Sequence, residues 1–557
     1  MKVRVVLPTT PMPRFLCIHG HFYQPPRENP WLEAVEVQDS AYPYHDWNER
    51  ITAECYAPNA ASRILDGEGR IERIVNNYAR ISFNFGPTLL AWLEAKRPEV
   101  YRSILEADAA SRERFSGHGS ALAQAYNHVI LPLANRRDKR TQVLWGLADF
   151  RRRFGREAEG MWLPETAVDL ETLELLAEAG LRFTILEPGQ ARRVRRLLET
   201  EPEPEDGEWQ DVAGGRIDTT VPYAVILPSG RRLAVFFYDG GVSRAVAFER
   251  LLDSGERFAD RLMATAPEDP DDPDAPDGDR LVNIATDGET YGHHHRYGEM
   301  ALSYALHHVE ANGLARLTNY GEYLAAHPPE MAVEIVENTS WSCAHGVGRW
   351  REDCGCQTGG DPGWNQAWRA PLRQALDWLR DEVAPRYEAA AGEIFPDPWA
   401  ARDGYVDVLL DRSPEAVDAF LARATGGNPP QGDRRVRALR LLELQRHAML
   451  MYTSCGWFFS DLAGIETVQV LRYAGRVVQL AGQLFDQPVE KGFLRRLELA
   501  QSNAPESGTG RDLYERHVRP AMVSPADRVL PVHFPSTVPP PPRATYRVQL
   551  RPGFGFD

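Results

Sequence analysis

From Phe15 to about Leu324, short apolar runs alternate with amphipathic stretches. RFLCIHGH reads as a buried strand, and GMWLPETAVDLETLELLAEAGLRFTIL as a strand–helix–strand unit. Within that unit Asp169 suits an N-cap, Leu173, Leu176 and Ala177 share one helix face, and Gly180 suits the position after the helix. RRLAVFFYDG and RLVNIATDG read as further strands. Strands alternating with helices predict a parallel sheet, either a (β/α) barrel or an open doubly wound sheet.

Past Pro329 the pattern changes to a helical period. Trp368, Leu372, Ala375 and Leu379 fall on one face, as do Val470, Ala474, Val477 and Leu480. The expected organisation is an N-terminal extension over 1–14, an α/β unit over 15–328, a mainly α-helical domain over 329–534, and a Pro-rich linker with the start of a possible further domain over 535–557. Two insertions interrupt the α/β unit. TEPEPEDGEWQDVAGG reads as a loop or hairpin, and APEDPDDPDAPDGD as a solvated loop.

Composition narrows the function classes. A chain of 557 residues exceeds one compact core, and 43% hydrophobic residues is a globular value. A formal charge of −16 argues against nucleic acid or an anionic membrane as partner. No apolar run is long enough to span a bilayer, the N-terminus lacks a continuous apolar signal core, and six Cys do not make a disulfide framework. These features predict a cytoplasmic enzyme.

Ligand sites of parallel α/β folds gather at the C-terminal ends of the strands. The polar residues there are His19 and His21, Glu165, Glu187, Asp239, and Asp287 with Glu289 in NIATDGETYGHHH. A carboxylate leaving an apolar strand is partly desolvated, which suits a nucleophile or a proton donor. Glu165 follows Trp162, Leu163 and Pro164, and Asp287 precedes a glycine. Two such carboxylates are the equipment of a glycosidase. Metal binding and a solvated loop remain open for the His-rich segment.

The motifs HGHFYQP, GHGSALAQAYNHVILPL, MWLPE and TDGETYGHH, in that order, resemble four regions of glycoside hydrolase family 57, covering roughly Phe15 to Trp341. The resemblance implies an incomplete (β/α)7 barrel, retention of configuration, α-glucan or maltooligosaccharide substrates and no cofactor. By position it implies Glu165 as nucleophile and Asp287 as general acid/base. His19, His21, His128, Glu289 and His293 would line the sugar site, joined by Gln24, Trp162 and Asp239. HGHFYQP departs from the family pattern by two extra residues before Gln24. The helical region resembles an uncharacterised domain found behind such barrels. The tail RATYRVQLRPGFGFD resembles the beginning of maltooligosyltrehalose synthase, a family 13 enzyme.

Two other readings compete with glycosyl transfer. His19, His21, His293 to His295 and Asp287 could form a hydrolytic metal centre, as in polysaccharide deacetylases of similar barrel type. A non-catalytic glucan-binding protein is the other. In CAHGVGRWREDCGC, the set Cys343, His345, Cys354 and Cys356 is capable of holding zinc, although Cys-x-Cys is tighter than the usual spacing. Trp341 and Trp350 in the same stretch are candidate sugar-stacking platforms, by which the helical region would help build the cleft.

Overall fold

A computed structural model describes residues 14–197, 209–264 and 279–522. The N-terminal extension, the Pro-rich tail and most of both insertions lie outside these residues.

The α/β unit holds seven barrel strands: β1 (Arg14–Phe22), β2 (Ser82–Phe85), β3 (Ala121–Gln124), β4 (Met161–Trp162), β5 (Phe183–Leu186), β6 (Arg232–Phe237) and β7 (Arg280–Asp287). Parallel ladders join β7–β1–β2–β3–β4, and another joins β5 to β6. A single parallel bridge between Gly160 and Phe183 links the two arcs. No ladder joins β6 to β7 among the described residues. There the Asp239 N–H donates to the Asn283 carbonyl at 2.8 Å instead. The barrel is therefore incomplete, with seven strands and an open seam.

Period two along the strands places the chemistry. On β1 the inward residues are Phe15, Cys17, His19 and His21; on β7 they are Leu281, Asn283, Ala285 and Asp287. The apolar half of each series joins Leu122, Trp162, Phe183, Ile185 and Phe236 in the barrel interior, which Tyr320, Tyr323 and Leu324 cover. The polar half stands at the C-terminal mouth. Leu16, Ile18, Val282 and Ile284 point outward into the helix layer. Asp169 caps its helix, accepting from the Thr172 N–H at 2.8 Å, and Gly180 has a φ of 84°.

The change to helices comes later than residue 329. Met331–Ile335 is a strand, antiparallel to Ala191–Arg196 and parallel to Tyr223–Ile226, and extends the β5–β6 arc outward. It remains a strand because both of its edges find backbone partners. Gln210–Asp211 adds the edge of this extension, so the described part of the first insertion is a hairpin arm.

Beyond it, the helices Arg369–Gly392, Gly432–Leu450 and Ile465–Leu484 carry the helical region, with the predicted faces fully buried. This region sits on the barrel mouth. Trp31 Nε1 donates to Gln479 at 2.8 Å, Val129 bridges Thr453, and the Ser454 N–H donates to the His128 carbonyl at 2.9 Å. No helix among the described residues is long and apolar enough to cross a membrane.

Trp350 is not a stacking platform. Its side chain is 0% exposed and its indole N–H donates to the Ser454 carbonyl at 3.2 Å. An aromatic in an irregular segment has the same sequence signature whether it faces solvent or core, and here the helices close over it. Trp350→Ala should lower the unfolding free energy by about 3–5 kcal/mol in denaturant melts, the cost of emptying a large core site. Unchanged stability would contradict its core placement.

Candidate active site

Glu165 sits in the tight turn Pro164–Thr166 at the end of β4, with φ of 58° at Glu165 and 52° at Thr166. Two consecutive left-handed non-glycine residues cost about 1–3 kcal/mol each and persist only where neighbours enforce them. The segment Asn338–Ser342 does so. The Trp341 N–H donates to the Glu165 carbonyl at 3.1 Å, and Val168 and Asn338–Thr339 exchange backbone bonds at 3.1 and 2.7 Å. The same segment grips the side chain. Trp341 Nε1 donates to Glu165 Oε2 at 3.0 Å, and Ser342 Oγ donates to it at 2.6 Å. Burial raises the Glu165 carboxyl above its ordinary range, against which Ser342, Trp341 and the Arg349 charge favour the ionised form.

Asp287 ends β7, beside His21 in the parallel register, and opens to a cleft. Gly288 follows because a Cβ there would stand 2.2 Å from the Phe22 ring. Enclosure within the cleft, then Glu289, then Glu165 push the Asp287 carboxyl well above its ordinary range. Glu289 accepts from the Tyr23 N–H at 3.1 Å and from the Tyr56 hydroxyl. Burial raises it to about 7, opposed by these donors and by Gln24.

The histidines form a neutral chain. His19 lies 3.0 Å from Ser82 Oγ and 3.1 Å from Asn84 Oδ1. Asn84 Nδ2 lies 2.9 Å from His21 Nδ1; His21 Nε2 lies 3.2 Å from His128 Nε2, and His128 Nδ1 lies 2.6 Å from Ser454 Oγ. One consistent assignment has Asn84 donating to His21, His21 to His128, and His128 to Ser454. Burial lowers both His19 and His21 to about 3, with Asn84 opposing, and holds His128 far below its usual value. Trp162 stacks beneath His19 and His21 at 4.7 and 5.2 Å.

Glu165, Asp287 and Glu289 face one cleft of 600 Å³, together with His21, Tyr23, Gln24 and His293. A larger cavity of 960 Å³, around Trp209, Arg192 and Glu334 on the outer β-extension, holds neither strand-end carboxylate.

The sequence profile of glycosyl hydrolase family 57 matches residues 16–336, more than half of the chain. The chain belongs to this family. A domain of unknown function, DUF3536, matches residues 364–537. Among solved structures, an exo-type maltose-forming amylase from Pyrococcus sp. ST04 superposes with a TM-score of 0.64 at 15% identity, covering 87% of this chain and 82% of that one. Alpha-amylase 1 of Dictyoglomus thermophilum is 28% identical over 108 residues, which is 19% of this chain and 15% of that protein's length.

In this family 57 chain the cleft gathers some expected contacts and leaves others behind. His19, His128 and Trp162 are each 0% exposed. They support His21 from behind and do not touch the cleft, because strand-end side chains stack in layers and only the top layer faces out. Asp239 is a helix N-cap, accepting from the Val242 N–H at 2.9 Å, and Glu187 accepts from the Gly189 N–H at 2.7 Å. Both carboxylates satisfy nearby backbone, as Asp and Glu at turns commonly do. Trp341 reaches the site through its indole N–H, which is committed to Glu165. His293 lines the cleft and is bonded to Glu54, whereas His295 turns away to the Ala247 carbonyl at 3.0 Å.

Several site residues escaped the sequence reading. Asn84 and Gln124, joined at 2.6 Å, end β2 and β3, and the strand-end rule could have found them. Tyr23 and Tyr56 orient Glu289, and Ser342 and Arg349 act on Glu165. Cys455, Phe458, Phe459, Ile465 and Glu466 bring the helical region into the cleft wall. No local pattern marks these last residues as cleft-lining.

The histidine chain makes a spectroscopic prediction. With folded values near 3, the imidazoles of His19 and His21 should show constant NMR shifts from pH 8 to 5. A midpoint near 6.5 in either would contradict the buried, neutral chain.

Proposed function

We propose that this chain is a retaining hydrolase or glucanotransferase acting on α-1,4-glucan or maltooligosaccharide, with Glu165 as nucleophile and Asp287 as general acid/base. One observation carries the assignment of roles. Two carboxylates from different strand ends, Glu165 buried and Asp287 open to the solvent side, face one cleft, and their surroundings push them apart in charge. Glu165 has two hydrogen-bond donors and a guanidinium to favour its anion, whereas Asp287 has carboxylates for neighbours. A pair separated in this way supplies one anion and one acid.

In the first step Glu165 attacks the anomeric carbon while Asp287 gives its proton to the departing glycosidic oxygen. In the second, Asp287 takes a proton from water or a sugar hydroxyl, whose oxygen displaces Glu165. The entering acceptor decides between hydrolysis and transfer. Phe458, Phe459 and Ile465, which the helical region sets at the cleft, suit the apolar faces of acceptor sugars. Family membership and the amylase names of the relatives support the α-glucan class. Six cysteines, all unpaired, support a reducing location such as the cytoplasm.

The metal-hydrolase reading has less support. The ring nitrogens of His19 and His21 are bonded to Ser82, Asn84 and His128, and His295 turns away from Asp287. These residues do not converge as ligands.

Glu165→Gln should abolish turnover without lowering the melting temperature, because the carboxylate must become covalently linked. Asp287→Asn should spare the first step on substrates with good leaving groups. Proton NMR of the first product should reveal the α-anomer; an initial β-anomer, or near-normal activity in Glu165→Gln, would overturn the reading.

The pH profile of kcat/KM should be bell-shaped, its acid limb reporting Glu165 protonation and its alkaline limb Asp287 deprotonation, as macroscopic values of the coupled pair. Ser342→Ala removes a donor to the Glu165 anion, so the acid limb should move to higher pH. Glu289→Gln removes a like charge beside Asp287, so the alkaline limb should move to lower pH. An alkaline limb moved by Ser342→Ala, or an acid limb moved by Glu289→Gln, would exchange the two roles.

A further inference from the structure

We propose that Cys343, His345, Cys354 and Cys356 form a closed, structural zinc site at the junction between the barrel and the helical region. Their ligand atoms all lie within 4.8 Å of one another. Cys343 Sγ stands 3.9 Å from Cys354 Sγ and 3.8 Å from Cys356 Sγ, and Cys356 Sγ stands 3.5 Å from His345 Nδ1. A tetrahedral zinc ion with Zn–S of about 2.3 Å and Zn–N of about 2.0 Å requires S–S edges of about 3.8 Å and S–N edges of about 3.5 Å. The three distances match those edges. They are also far from the ~2.05 Å of a disulfide.

The local chain explains how so tight a Cys-x-Cys spacing serves. Gly355, between the two cysteines, has a φ of 79°, a left-handed turn that brings both sulfurs to one point. The surroundings call for an anionic cluster. Arg369 is 0% exposed, points Nη1 at Cys354 Sγ at 3.7 Å, and has no carboxylate ion pair among the described residues. Three neutral thiols would leave this buried guanidinium without a counter-charge. Three thiolates and one imidazole on a divalent ion carry a net negative charge that neutralises it. Four protein ligands leave no open position, so the ion is structural and not a Lewis acid.

The site also bears on Glu165. Cys343 directly follows Ser342 and Trp341, the two donors to that carboxylate. A metal fixed at Cys343 would hold them in place. This consequence rests on the catalytic reading above; metal binding does not.

Elemental analysis of the full chain, purified without chelator under reducing conditions, should find a single zinc ion per chain. Cobalt substitution should give intense tetrahedral d–d bands and sulfur-to-cobalt charge transfer. Cys354→Ser and Cys356→Ser should each lose most of the metal, and His345→Cys should retain it with stronger charge transfer. Failure of the wild-type chain to retain zinc after reconstitution would overturn the proposal, as would cobalt binding without thiolate bands or a disulfide among these cysteines in reduced protein. Zinc removal should also move the acid limb of kcat/KM upward, as Ser342→Ala does. Bound zinc without that shift would leave the metal site standing and refute only its link to Glu165.

Discussion

The grip of Trp341 and Ser342 on Glu165 is the interaction on which the rest of the site depends. A carboxylate at the end of a two-residue strand, in a left-handed turn, has no regular structure to fix it. The segment after Met331–Ile335 fixes it twice, once through backbone bonds that enforce the turn and once through two donors on Oε2. That segment is itself held between the outer β-extension and the loop that carries the cysteine–histidine cluster. The nucleophile candidate therefore belongs to the barrel by sequence and to the junction by mechanics.

The electrostatics follow from the same layering. Inward positions of β1 and β7 are apolar deep in the barrel and polar at its mouth. The polar layer cannot all carry charge in so enclosed a space. The histidines resolve this by remaining neutral, chained through Asn84 to Ser454. Glu289 resolves it by accepting from Tyr56 and Tyr23. Of the two strand-end carboxylates, Glu165 has side-chain donors and Asp287 has none among the described residues, an arrangement suited to an anion and an acid.

Much of this was legible in the sequence, and the reasons for the exceptions are physical. The alternation of β1, the cap at Asp169 and the helical faces around Leu372 and Ala474 are local patterns that tertiary contacts reinforced. Glu165 and Asp287 stood out as candidates because each ends a strand, and the structure places both at one cleft. Asp239 and Glu187 have the same signature, and only the backbone N–H groups around them separate a cap from a cleft residue. His19 and His128 lie in the polar layer but one shell too deep, a depth that period two does not encode. Phe458, Phe459 and Glu466 reach the cleft through the packing of helices far along the chain, so no local motif announced them.

The most direct test of the account is trapping the covalent intermediate. A fluorinated α-glucosyl fluoride that slows the second step should leave a glycosyl adduct on the peptide containing Met161–Thr166, located by tandem mass spectrometry at Glu165. An adduct on another carboxylate, or turnover of the reagent with no adduct and with inversion at the anomeric carbon, would contradict it.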